Sequence, residues 1–334
     1  MIIRNRPAFF PFSLDIPWKV EDYSICPIIS KDMWRRFIKD KSISIVCPGY
    51  LLEIIISSFS YYILNKKIDK WIIPSYYIKA LELFGINCKI EVNDNIFKEY
   101  DRIIDVSVSY PTPIFFDKKK NVYFNLFNNY GNIISTKNHI RKRNRLPFWK
   151  QLLNNLCIEN YEHMISLRNF NYEKSGQICY KFLEKFGISK NDKYYIIDAA
   201  NLFCMTADHR EVENRIIFPI QIKGMVDKLK KENIKCIVMA DSIEQYKSVG
   251  IDNVILSWNT INSEIVVSLI ANSYGIISQD QNLYLLAMIF GVNNVICIGE
   301  EEKGWGINDI EIFQSEKKNW NFFENKKSIN ELMR

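Results

Sequence analysis

A chain of 334 residues exceeds the usual single-domain size and leaves room for two hydrophobic cores with an extra segment. Apolar residues at 48% and charged residues at 25% exclude a disordered, fibrous or collagen-like chain. A net charge of +6 favours an acidic ligand or an anionic surface, yet it is small for a dedicated nucleic-acid binder of this length.

Residues 1–40 hold prolines and Trp18 and Trp34 without steady periodicity, and read as an extension packed on the first domain. The opening run MIIRNRPAFFPFSL is short, broken by proline and lacks a small-residue cleavage pattern, so it makes a poor signal peptide. The apolar stretch from Tyr50 to Leu64 contains Glu53 and several serines and falls short of the ~20 residues of a stable membrane span. The eight cysteines are scattered singly with no Cys-x-x-Cys pair and few histidines beside them, which predicts buried reduced thiols and a reducing compartment. A soluble, cytoplasmic protein is expected.

SISIVCP (Ser42 to Pro48) predicts a buried strand, and Leu51 to Lys66 a helix too apolar for a surface. KWIIPS predicts a strand, Tyr76 to Phe84 a helix stopped by Gly85, CKIEV a strand and YDRIIDVSVS another. Phe115 to Phe127 is aromatic-rich and partly basic, and HIRKRNRLPFWK precedes a helical Gln151 to Leu156. The rhythm restarts with a helix from Ser175 to Phe186, stopped by Gly187. It continues through the strand KYYIIDAAN, a helix from Ile220 to Glu232, and the strands IKCIVMAD and DNVILS. A helix from Ser263 to Ser273, the strand YGIIS, a helix from Asn282 to Phe290 and the strand NVICIG close it.

Strands alternating with helices imply crossovers and parallel sheets, so the fold class is α/β with two Rossmann-like domains facing a cleft. The domain limits are 1–40 for the extension, 41–165 for the first domain and 166–334 for the second, the segment after Asn319 returning toward the first. Ligands of such sheets bind outside the carboxyl ends of the strands. That rule picks out Asn201, Asp241, Ser278 and Asp280, which close strands of the second half.

The passage IANSYGIISQDQNLYLLAMIFGVNNVICIGEEEKGWG carries the most information. A strand ends at Ser278, Asp280 and Gln281 form the turn, and a new helix starts at Asn282. Such a helix start can hold phosphate on its unpaired amides, or Asp280 can simply cap the helix. Here the chain resembles the bacterial heptosyltransferases, inverting GT-B enzymes of lipopolysaccharide core synthesis. Their strand is followed by Asp-Ser-Gly-x-x-His-x-Ala, an Ala-rich helix ending in Gly, and a further strand. Asp280 stands at the Asp, Gln281 at the Ser, Asn282 at the Gly, Leu285 at the His and Ala287 at the Ala, and Gly291 closes the helix. The family's basic residue and aromatic-Pro pair have counterparts in Arg210, Arg215 and Phe218-Pro219. Its first-strand turn with the catalytic carboxylate has one in VCPGYLLEIIISS, which places Glu53 at or near that carboxylate.

The resemblance implies a metal-independent, inverting glycosyltransferase using a nucleotide-sugar donor as substrate and no cofactor. Glu53 would be the general base, its pKa raised by apolar surroundings, or else a carboxylate at a helix start. Donor contacts would come from Asn201, Arg215, Asp241, Ser278, Asp280, Gln281 and Asn282. The run Arg141, Lys142, Arg143 and Arg145 would hold an anionic glycan, lipid-linked or nucleic-acid acceptor, or it is a solvated helix face. No Asp-x-Asp motif occurs in the chain, which disfavours a metal-dependent GT-A transferase. Other readings of the same fold are a nucleotide-sugar epimerase, a phage-like glycosyltransferase acting on nucleic-acid bases, and a non-catalytic binding protein.

Overall fold

A computed structural model describes residues 40–46, 70–72, 78–86, 102–105, 122–125, 169–199, 218–256, 261–299 and 319–324. They fall into two units. The first carries β1 (Ile43–Val46), β2 (Lys70–Ile72), β3 (Arg102–Asp105) and β4 (Val122–Asn125) in a four-stranded parallel sheet of order β2-β1-β3-β4. Three of these are the expected strands SISIVCP, KWIIPS and YDRIIDVSVS. β4 lies inside the region read only as aromatic-rich; its VYFN is β-branched and aromatic, a strand composition too short to show a period. The expected helices at Leu51 to Lys66 and Gln151 to Leu156 and the strand CKIEV lie outside the described residues.

The second unit includes Lys79–Gly85, from α1 (Ile78–Leu83). It continues with α2 (Tyr172–Leu183), β5 (Tyr194–Asp198), α3 (Pro219–Lys231), β6 (Lys235–Ala240) and α4 (Ile243–Lys247). β7 (Val254–Leu256), α5 (Ser263–Ala271), β8 (Gly275–Ser278), α6 (Gln281–Ile289), β9 (Asn294–Gly299) and β10 (Asn319–Glu324) complete it. Its six strands pair in parallel in the order β10-β9-β8-β5-β6-β7. The chain therefore builds outward from β5 in one direction through β6 and β7. It then returns to the other side of β5 and builds outward again, which is the Rossmann order with its switch point between β5 and β8.

Every residue of β5 is buried, and all of β6 except Lys235, as expected of central parallel strands covered on both faces. The period of two divides β5 cleanly. Tyr195 and Ile197, with Ala199 just beyond, join Ile222 and Met225 of α3 and Tyr246 of α4 in one core. Tyr194 faces the opposite layer, where its hydroxyl meets Cys179 of α2 and Leu269 of α5. α6 is apolar on every side and buried from Leu283 through Ile289. α2 buries only the narrow i, i+4, i+8 stripe Ser175, Cys179 and Leu183. Asn171 caps α2 by accepting the Lys174 N–H at 2.9 Å.

The expected stops hold at Gly187 and Gly291, both at φ 65°, where the left-handed turn needs a residue without Cβ. The buried stripe of α3 runs through Ile222 and Met225, which leaves Ile220 67% exposed. Asn319–Glu324 adds to β9 as a parallel strand, with Trp320 buried and its Nε1 donating to the Val292 carbonyl at 2.9 Å. The NWNFFE segment has too few alternating positions to announce itself. The helix α4 spans only 5 residues, too few to show a helical period in the sequence.

Candidate active site

At the switch point the register Ile197↔Ile277 brings the carboxyl end of β5 beside that of β8. Asp198 and Ser278 close those strands, 2% and 0% exposed, and the Ser278 hydroxyl donates to Asp198 Oδ2 at 2.8 Å. The Ser278 oxygen in turn accepts the backbone N–H of Asp280 at 2.8 Å. Asp280, itself buried, precedes α6, and its carbonyl accepts the N–H groups of Leu283 and Tyr284, each at 3.1 Å. A continuous chain of hydrogen bonds thus runs from the Asp198 carboxylate across two strands to the start of a helix. It stays fixed because both strands are buried on both faces and their register leaves neither end free to slide.

Beside it, β6 ends at Ala240 and is followed by exposed Asp241 and then by Ser242, which caps α4 by accepting the Gln245 N–H at 3.4 Å. Tyr246 of α4 reaches back over this edge, its hydroxyl donating to the Ala199 carbonyl at 3.3 Å. Burial, followed by the negative charge of Asp241 and Asp198, pushes that hydroxyl up to about 12. It therefore remains a protonated donor at neutral pH, and Asp198 and Asp241 set a negative field along this edge. Carboxylates so placed accept hydrogen bonds from hydroxyl groups, while the first turn of α6 presents its amides and the positive end of its dipole.

Of the sequence-predicted residues, Ser278 and Asp280 meet at the switch point, and Asp241 stands at the end of β6. Gln281 and Asn282 form the first turn of α6. Glu53, Asn201, Arg215, Arg141, Lys142, Arg143 and Arg145 lie outside the described residues. Sequence reasoning passed over Asp198 and Tyr246. The signal for Asp198 was available: in YYIID a single charged residue closes an apolar run at the first strand of the unit. Tyr246 lay on a five-residue helix that has too little periodicity to be read.

No protein-family model and no curated protein matches the chain. Among solved structures it is similar to the glycosyl transferase family 9 protein of Veillonella parvula. They share 10% identity over 85% of this chain and 87% of that one, at a TM-score of 0.52. It is also similar to E. coli ADP-heptose lps heptosyltransferase II, at 11% identity, 77% and 84% coverage and a TM-score of 0.47. A third likeness is to E. coli heptosyltransferase WaaC with ADP-2-deoxy-2-fluoro heptose, at 9% identity, 85% and 92% coverage and a TM-score of 0.46. The Veillonella likeness shows the fold of the chain. Among the described residues no helix is long and apolar enough to cross a membrane.

Proposed function

We propose that the chain is a glycosyltransferase that moves a sugar from a nucleotide-sugar donor to an acceptor with inversion and without a metal. The observation that carries this reading is the buried Asp198, Ser278 and Asp280 chain at the switch point of a sheet in a glycosyltransferase-like fold. In this reading Asp280 and the first turn of α6, with Gln281 and Asn282, hold the donor, supported by Asp241, Asn201 and Arg215. The carboxylates take sugar or ribose hydroxyls, and the helix dipole and the Arg215 guanidinium take the negative charge that grows on the leaving diphosphate.

Glu53 removes the acceptor proton as general base, and Arg141, Lys142, Arg143 and Arg145 hold an anionic acceptor. The domain limits proposed above, and a cytoplasmic site of action, go with this assignment. General-base catalysis contributes typically ~10²–10⁴-fold. Glu53→Gln should therefore lower turnover by about that factor while leaving donor affinity unchanged.

The test is a thermal-shift screen of nucleotide sugars, since a ligand that binds only the folded chain raises its melting point. Hits are then assayed for transfer with and without EDTA. A raised melting point with EDTA-insensitive transfer is the expected result. Absence of a shift with every nucleotide sugar overturns the reading. A shift accompanied by epimerised donor in the absence of acceptor replaces transfer with epimerisation.

A further inference from the structure

We infer that Asp198 is a positioning residue for the donor site: its carboxylate fixes the Ser278 hydroxyl, and Ser278 in turn fixes the backbone of Asp280 at the head of α6. This inference rests on the proposed glycosyl transfer and adds a residue to its donor site. The Ser278 hydroxyl carries a single proton to donate. Two acceptors lie within reach, Asp198 Oδ2 at 2.8 Å and the Asp280 carbonyl at 3.3 Å. The carboxylate is nearer, and hydrogen bonds to a charged acceptor are the stronger kind, so the proton goes to Asp198.

Two consequences follow for Asp280. Its carbonyl remains committed to the N–H groups of Leu283 and Tyr284, which closes the first turn of α6. Its N–H finds the Ser278 oxygen with the lone pair turned toward it, because the hydroxyl points the other way. Without Asp198 the Ser278 proton turns to the Asp280 carbonyl two residues on. There it competes with the helix amides for that oxygen and loosens the turn that aims the Asp280 side chain. Asp198, Ser278 and Asp280 are all buried, so water does not substitute readily for a lost member.

The experiment uses the full chain and the variants Asp198→Ala, Asp198→Asn, Ser278→Ala and the Asp198→Ala/Ser278→Ala double variant. Calorimetric titration with ADP, UDP and GDP selects whichever nucleotide the parent binds, and each variant's melting point is recorded alongside. Tyr194→Phe, at the other end of β5, serves as a purely structural control. Loss of one such hydrogen bond should weaken binding about tenfold in Asp198→Ala and in Ser278→Ala. The double variant should be no more than about twofold weaker than either, because both substitutions break the same chain. Asp198→Asn should stay within about threefold of the parent, since its amide oxygen still accepts the Ser278 proton.

Parent-like binding by Asp198→Ala overturns the inference, as do additive effects in the double variant or an Asp198→Asn as weak as Asp198→Ala. Should Asp198→Ala fail to fold, Ser278→Ala and Asp198→Asn decide alone: a tenfold loss in the first with binding kept in the second supports the inference, and parent-like Ser278→Ala overturns it. If the parent binds none of the three nucleotides but a nucleotide sugar raises its melting point, that sugar becomes the probe and the same ratios apply. If no nucleotide sugar shifts it either, the glycosyl-transfer reading falls, and the inference with it.

Discussion

Tyr194 and Asp198 stand on the same face of one five-residue strand, both buried and both hydrogen-bonded, and yet the two ends of β5 are built for different ends. About 13 Å separates them at ~3.3 Å per residue. At the amino end the Tyr194 hydroxyl donates to the Leu269 carbonyl at 2.5 Å and lies 3.2 Å from the Cys179 sulfur. The Leu269 carbonyl belongs to the last turn of α5, where the Ser273 N–H has turned to Ile270 instead, so Tyr194 satisfies a helix end from outside.

On the other face of the strand, Tyr195 fills the space above Gly275, and Lys193 lies over the Tyr274 ring at 4.6 Å. The hydrogen-bonding side chains that knit α2 and α5 to β5 here are neutral. Burial pushes the Cys179 thiol up to about 11, and Tyr194 lies well above its ordinary value. At the carboxyl end the anchoring group is a carboxylate, and the chain it starts ends at the head of a helix rather than on a helix tail. A parallel sheet thus separates holding from binding along a single strand. Neutral donors lock one end, and acceptors with a helix dipole collect at the other.

The comparison breaks first if the amino end can be disturbed without loss of stability. A Cβ at residue 275 would overlap the Tyr195 ring, which is itself buried, so Gly275→Ala must displace a packed aromatic. Overpacking of this kind costs about 1–3 kcal/mol. Chemical denaturation should show that loss with nucleotide affinity of the folded chain unchanged. A parent-like midpoint would mean that the ring and strand shift freely.

Tyr194→Phe removes one hydroxyl and leaves the Leu269 carbonyl without the donor it receives in the fold. The expected cost is about 1–2 kcal/mol, read as a melting-point drop of about 2–6 °C. Donor binding should not change. A lowered affinity with an unchanged melting point would put the amino end, not the carboxyl end, in the binding machinery.

How much of this was legible follows from the lengths of the elements. The second unit's long apolar runs announced β5, β6, β8, β9, α5 and α6, because a buried parallel strand or core helix is apolar throughout. Ser278 and Asp280 were found by the same logic, as polar residues that end such runs. What escaped was short or depended on pairing. β4 and β10 span 4 and 6 residues of aromatic-rich sequence, too few to show a period, and the side to which β10 adds is a property of the sheet. Asp198 escaped for a different reason. Its role comes from a hydroxyl 80 positions away in sequence, and only strand order places the two together.

A smaller effect sharpens the contrast through pH. Burial raises the Cys179 thiol from its ordinary 9.0 to about 11, with the Tyr194 hydrogen bond opposing the shift. Below about 9 the folded and unfolded chains both keep the proton, and the thiol's contribution is fully present. As pH rises the unfolded chain loses its proton first, so stability declines and the contribution is gone above about 11. Urea midpoints at pH 7.5, 9 and 10.5 should therefore fall more steeply for the parent than for Cys179→Ala. Equal slopes would mean that this thiol is not held neutral by the fold.

The most direct measurement is hydrogen–deuterium exchange of the full chain with and without the nucleotide sugar that raises its melting point most. The amides at the carboxyl ends of β5 and β8 and at the head of α6, from Ala199 and from Asp280 to Leu283, should slow on binding. Those at the amino ends, at Lys193, Ile234 and Tyr274, should exchange unchanged. Protection confined to the amino ends, or spread equally over both, would contradict the division of β5 into a holding end and a binding end.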